Sequence, residues 1–345
     1  MIIILCLLKL DLSTQRQLHP AVVCDQRIYI QTLRRPAQSV GWRRSPVTEM
    51  VPDVFERYEN VFLVILAVTI GVFVPAFGSV LEPLITPIVI FLVYSSLRGL
   101  DPAEIDVSSY AALTGLSLCL SYLVFPIGGI HIAQQFLSGS AVVGFGVALS
   151  VPTTTATAII WTRFARGDVQ LATTISLVSL LAAPVVTPIV LTQLVGSQAS
   201  VPAAAIFFNL LTILVGGALL AVLVPTSTIS DRTVERGSTL SILLLIYTST
   251  ASVELGAVAG SVLAAIGVVS VLLLGFGLGV SVLCGAVFGL DRARTLPVCF
   301  TVALKNPAIA LLIGFGYADS LVVVAIIVNY IIQQVVSALV ADAVS

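Results

Sequence analysis

The chain has 345 residues, 58% of them hydrophobic and 10% charged, with a mean hydropathy of +1.11 and a formal net charge of −1. A soluble domain carries about 25% charged residues, so this chain cannot cover itself with a polar surface and its solvent is lipid. The near-zero net charge excludes a strongly basic nucleic-acid binder, and the continuous apolar runs exclude barrel strands, which alternate apolar and polar residues over about 10 positions.

Residues 1–49 stand apart, holding seven of the 16 Lys+Arg, with Arg34, Arg35, Arg43 and Arg44 clustered. The apolar run Met1–Leu8 has no basic flank before it and is too short to span. The only methionines are Met1 and Met50, and Met50 directly precedes the first spanning segment. The expectation is that 1–49 is a disordered tail or lies before the true start at Met50.

From there hydropathy predicts ten spanning helices, at 60–78, 81–98, 108–127, 139–163, 168–194, 203–224, 238–256, 261–289, 294–316 and 318–342. Arg57, Arg98, Arg163, Arg166, Arg232, Arg236, Arg292 and Arg294 then fall in the N-terminal tail or in the loops after helices two, four, six and eight. All of these lie on one side of the membrane, and the opposite loops hold no basic residue. The positive-inside rule makes that side, and both termini, cytoplasmic in a multi-pass protein of the cell membrane.

Ten helices divide into two fives, 50–197 and 198–345, and an odd number of spans turns the second copy upside down. This is the inverted-repeat plan of secondary transporters. The fourth helix of each half is interrupted, at Pro152-Thr153-Thr154-Thr155-Ala156-Thr157 and at Lys305-Asn306-Pro307-Ala308. Proline lacks an N–H and disfavours helix in the residue before it, so each segment is expected to break there, and a second half-helix can start at the break. Matched interruptions in two halves point to a binding site.

Three groups of residues could carry it. Hydroxyls of Thr153, Thr154, Thr155 and Thr157 at a half-helix N-terminus can coordinate a cation or help hold an anion, although threonines also bond preceding carbonyls and pack between helices. Lys305 is the one basic residue placed at membrane depth, where a charge is costly and points to function unless it snorkels to water. Asn329 and Gln333, at i and i+4, share one helix face that looks into the bundle, where they bind solute or join helices.

Asn306-Pro307-Ala308 matches the water-channel tripeptide, but one copy among ten spans is a weak signal. The five cysteines, Cys6, Cys24, Cys119, Cys284 and Cys299, show no CxxC spacing. His19 and His131 are too few for a histidine metal site. No zinc-protease, P-loop or serine–histidine pattern occurs, so no enzyme activity and no cofactor is expected. The expected partners are the bilayer and a small solute; nucleic acid is not among them, and oligomeric state is not legible.

Three stretches together resemble the bile acid:sodium symporter superfamily, which also contains the arsenite-efflux permeases. They are Ser121-Tyr122-Leu123-Val124-Phe125-Pro126; Pro152 through Ala165-Arg166-Gly167-Asp168 to Ser176, Ser179 and Pro184-Val185-Val186-Thr187-Pro188; and Thr301-Val302-Ala303-Leu304-Lys305-Asn306. The resemblance covers about 60–343. It implies ten helices in two inverted fives, with helices four and nine crossing at their breaks. It also implies a secondary transporter that moves a small organic anion through the crossover.

The sodium ligands implied by the resemblance are mostly replaced. The ninth-helix glutamate and glutamine positions hold Thr301 and Lys305, the helix-three glutamine position holds Ser121, and a Ser-Asn pair falls around Ala158 and Ile159. Two helix-five hydroxyl positions hold Ala172 and Ser176. Sodium is therefore a doubtful cofactor, and Lys305 is expected to stand in for a bound cation. Thr155-Ala156 and Trp161 also resemble the arsenite permeases, with Thr154 at their cysteine position. A metalloid-efflux permease coupled to protons or membrane potential is thus the alternative. A non-transporting membrane sensor is a further one.

Overall fold

A computed structural model describes residues 62–98, 107–251, 258–317 and 319–344. The tail at 1–49, the start at Met50 and Arg57 lie outside them. Among the described residues the protein is all-helical, and six of its helices are long and apolar enough to cross a membrane. It is a membrane protein.

Helix α1 is Phe62–Phe73, and α2 runs over Pro75–Leu97 through two short turns begun at Pro75 and Glu82. Pro75 has no N–H to continue the first helix, so α1 ends there and α2 starts at once, a few residues before the sequence expectation. Helix α3 comprises Val107–Cys119, a π-helical turn Leu120–Val124, and Phe125–Phe136. Hydropathy ended this span near residue 127, but Pro126 sits in the first turn of the last section, where its missing N–H does no harm.

The fourth segment splits into α4 (Ser140–Ser150) and α5 (Thr155–Phe164), followed by α6 (Val169–Val195) and α7 (Ala203–Leu223). Helix α8 (Asp231–Ala251) starts earlier than expected, because its first two turns, with Arg232, Glu235 and Arg236, are too polar to register as a span. Helix α9 is Gly260–Val287. The ninth segment splits into α10 (Arg292–Ala303) and α11 (Pro307–Gly314), and α12 (Ser320–Val344) closes the chain.

Packing distinguishes a peripheral set from a central one. Helix α2 lies along α7 and α8. Gly217 of α7 has no room for a side chain: a Cβ there would come within 2.5 Å of Val93. At the centre α4 lies along α12 and α6, α10 packs against α9, α6 and α5, and α11 against α12. At Gly144 a Cβ would come 2.6 Å from the Val322 carbonyl oxygen. With no hydrophobic force between helices in lipid, close approach at small residues is what joins them.

Contacts between loops sort into two faces. On one, the Arg98 guanidinium donates to the carbonyls of Thr226 and Ile229 and pairs with Asp231 at 3.2 Å. There too the Asp168 N–H donates to the Ala293 carbonyl at 2.8 Å. On the other, Tyr247 donates to the Val74 carbonyl at 2.7 Å and the Ser140 hydroxyl donates to Asp319. The first of these faces carries Arg98, Arg163, Arg166, Arg232, Arg236, Arg292 and Arg294 and is called the basic face below.

Candidate functional site

The two breaks meet. Residues 151–154 and 304–306 are extended, and Thr153 pairs with Lys305 as an antiparallel bridge. In lipid every backbone group freed by a break needs a partner, and the partners can be followed one by one. The Thr154 N–H donates to the Leu304 carbonyl at 3.2 Å, and the Asn306 N–H to the Pro152 carbonyl at 2.8 Å. The two central N–H groups turn outward to side chains: Thr153 to the Ser179 hydroxyl at 3.1 Å, and Lys305 to Gln333 Oε1 at 3.3 Å. The Thr301 carbonyl, left open by the end of α10, accepts the Thr153 hydroxyl at 2.6 Å.

The half-helices start differently. Asn306 caps α11, its Oδ1 accepting from Ala308 and Ile309 N–H, with Pro307 as the first helical residue. Thr154 caps α5 without a side-chain bond to the backbone. Pro152 therefore lies two residues before a cap while Pro307 lies one after, so the prolines are not matched in register; Thr154 and Asn306 are.

The Lys305 side chain runs to α3. Its Nζ donates to the Ser121 carbonyl at 2.7 Å and to the Ser121 hydroxyl at 2.8 Å, and lies 4.9 Å from the Tyr122 ring centre and 5.7 Å from that of Phe125. The π-turn makes this carbonyl available. Phe125 N–H bonds back to Leu120 rather than to Ser121, and the next donor in line would be residue 126, a proline. Lys305 is 3% exposed and Ser121 fully buried. An ammonium at such depth needs acceptors; a carbonyl, a hydroxyl and two aromatic faces supply them.

The other expected residues divide. Asn329 and Gln333 line a tight crevice with Lys305, Phe125 and Leu149, as their shared face requires. Thr301 is buried, but its hydroxyl bonds the Pro297 carbonyl at 2.7 Å within its own helix. Ser176 is fully buried on α6, one turn from Ser179. Thr155 is buried at the first turn of α5. Half-buried Thr157 meets the Thr154 hydroxyl at 3.5 Å. The threonine cluster thus contributes mainly through Thr153.

Residue types alone did not single out Tyr122, Phe125 and Ser179 for the site. Tyr122 donates to the Ser179 carbonyl at 2.9 Å, joining α3 to α6 beside the crossover. The detectable signal was an apolar, aromatic run ending in Pro126.

Two helices broken at one level, with a buried lysine between them, lie in a helical membrane protein, and its family makes it a transporter. The chain belongs to the SBF-like CPA transporter family, which it matches over residues 60–345. This bears out the resemblance to the bile acid:sodium symporters. No curated protein matches the chain.

Proposed function

We propose that this protein is a secondary-active transporter of a small organic anion, that its site is the crossover of α4–α5 with α10–α11, and that Lys305 takes the place of a coupling cation. The observation that carries the reading is the Lys305 ammonium, held by the carbonyl and hydroxyl of Ser121 under two aromatic rings. This is a cation's environment already filled by a tethered charge. Around Thr301, the positions where the resemblance places further sodium ligands include Ala158 and Ala172, both fully buried and without oxygen side chains. Two of the side-chain oxygens that a second cation would use are therefore missing there.

The reading includes the ten-span inverted repeat, which a two-fold likeness at the crossover supports. Each central N–H is met by a side chain of the helix that follows in its own half, Ser179 of α6 or Gln333 of α12. Asp168 and Asp319 stand alike before those helices, each accepting an N–H from the first turn. The basic face is cytoplasmic by the distribution of arginines.

The test is a thermal-shift screen of purified protein over organic anions, arsenite and sodium, followed by flux of each hit into liposomes. Gradient-driven uptake of an organic anion is the expected result. Uptake of arsenite alone would identify a metalloid permease, and binding without flux would identify a sensor.

A further inference from the structure

Four buried polar atoms without a protein partner lie in one part of the molecule: Thr114 Oγ1 on α3, Trp161 Nε1 and Thr162 Oγ1 on α5, and Ser176 Oγ on α6. Thr162 and Ser176 are wholly buried and Thr114 nearly so. Helix α6 packs against α3 and α5, and α10 packs against all three.

Two tyrosine bonds set their depth. Tyr110 donates to Asp168 at 2.9 Å where α3 and α6 begin at the basic face. Tyr122 donates to Ser179 beside the crossover. The two helices therefore run parallel, with about three turns, roughly 16–18 Å, between the two bonds. Thr114 lies one turn inward from Tyr110, and Ser176 about two turns inward from Asp168. Helix α5 comes down to the same face, where the Thr162 carbonyl accepts from Gly167 at 2.8 Å. All four atoms thus lie between the crossover and the basic face.

Tyr110, Thr114, Ser117 and Ser121 follow at i, i+4, i+7 and i+11, one face of α3. That face ends at the Ser121 hydroxyl, which holds Lys305 Nζ. Ser117 already donates to the Leu113 carbonyl at 2.7 Å, which leaves Thr114 as the unpartnered hydroxyl of this face; most buried hydroxyls of that kind in native proteins bond an ordered water.

We infer that the space among α3, α5, α6 and α10 on the basic side of the crossover is hydrated, and that its water carries protons between the basic face and Lys305. Each transfer breaks one N–H of the ammonium as a water O–H forms, and that water passes a proton outward; the reverse sequence recharges the amine. Lys305 faces Tyr122 and Phe125 of α3, Asn329 and Gln333 of α12 and Leu273 and Leu274 of α9. Among the described residues no carboxylate lines this position to accept its proton directly. The inference rests on the reading of Lys305 as a site residue, but hydration can be tested without transport.

The experiment places Thr114→Cys and Ser176→Cys singly in a background with all five native cysteines changed to serine. Each is treated with 2-(trimethylammonium)ethyl methanethiosulfonate, whose fixed charge keeps it from crossing the bilayer, from either face of sealed vesicles. Modification from the basic face is expected at least tenfold faster than at Leu181→Cys, a lipid-facing control on α6. A rate no faster than the control, or faster from the opposite face, overturns the inference. As a measurement that does not depend on the cysteine-free background, the melting temperatures of Thr114→Val and Thr162→Val are expected to fall, because the water loses a partner. A rise would show that the hydroxyls are dry and overturns it equally. For the proton route, flux in Thr114→Val is expected to slow at least threefold; unchanged flux with accessible thiols overturns that part alone.

Discussion

At the scale of the residue, Lys305 is bound by what Ser121 has to spare, and that is decided by Pro126. The π-turn shifts the bonding on α3 by one, and the proline then leaves the Ser121 carbonyl with no backbone donor. Pro126→Ala restores an N–H that competes with the ammonium for that carbonyl. It is expected to reduce transport severalfold at unchanged expression, read as flux per reconstituted protein. Lys305→Met removes the charge and keeps much of the length, leaving a buried carbonyl and hydroxyl unpaired at about 1–3 kcal/mol. Flux in that variant is expected to fall to background while the protein still folds, as followed by gel filtration. The sequence showed this lysine because a basic residue in an apolar span stands out by composition. It did not single out Tyr122, Phe125 or Ser179, because a one-residue slip in helical bonding leaves no trace in periodicity.

At the scale of the element, the two broken helices follow from ordinary proline chemistry, and the depth of burial then forces them together. Four extended-segment N–H groups find acceptors only because the breaks lie side by side and because Ser179 and Gln333 reach them. Asn306→Ala removes the cap on α11 and is expected to cost about 1 kcal/mol, measured as a lower melting temperature. Gly144→Leu is expected to be far more severe. Its side chain would enter the Val322 carbonyl of α12, so protein yield after detergent extraction should collapse. Proline positions made the breaks legible to within a residue or two. The register between them was not legible, since the caps at Thr154 and Asn306, rather than the prolines, are matched. The start of α8 was missed for a different reason: a charged first turn at a membrane surface is helical without being hydrophobic.

At the scale of the whole molecule, the arginine asymmetry and the loop contacts agree. Arg98 reaches the loop before α8, and Asp168 the first turn of α10, as expected if these segments share one side. Ser197, beyond the end of α6, belongs to the other side. In the cysteine-free background Ser197→Cys is expected to react with an impermeant maleimide added outside intact cells, and Arg98→Cys only after permeabilisation. Hydropathy was enough to show an all-helical membrane protein, six of whose described helices are long and apolar enough to cross, because in lipid a long apolar run is the condition for spanning. The chemistry of the site depends on a few side chains meeting in space and was legible only in part. Replacement of the coupling ion by a tethered ammonium is tested by flux into liposomes with sodium present on both sides, on one side, or replaced throughout by choline, in the native protein and in Lys305→Ala. Equal flux is expected in all three conditions for the native protein, and loss of flux in the variant. Native flux that requires sodium, or full flux without the lysine, would contradict it.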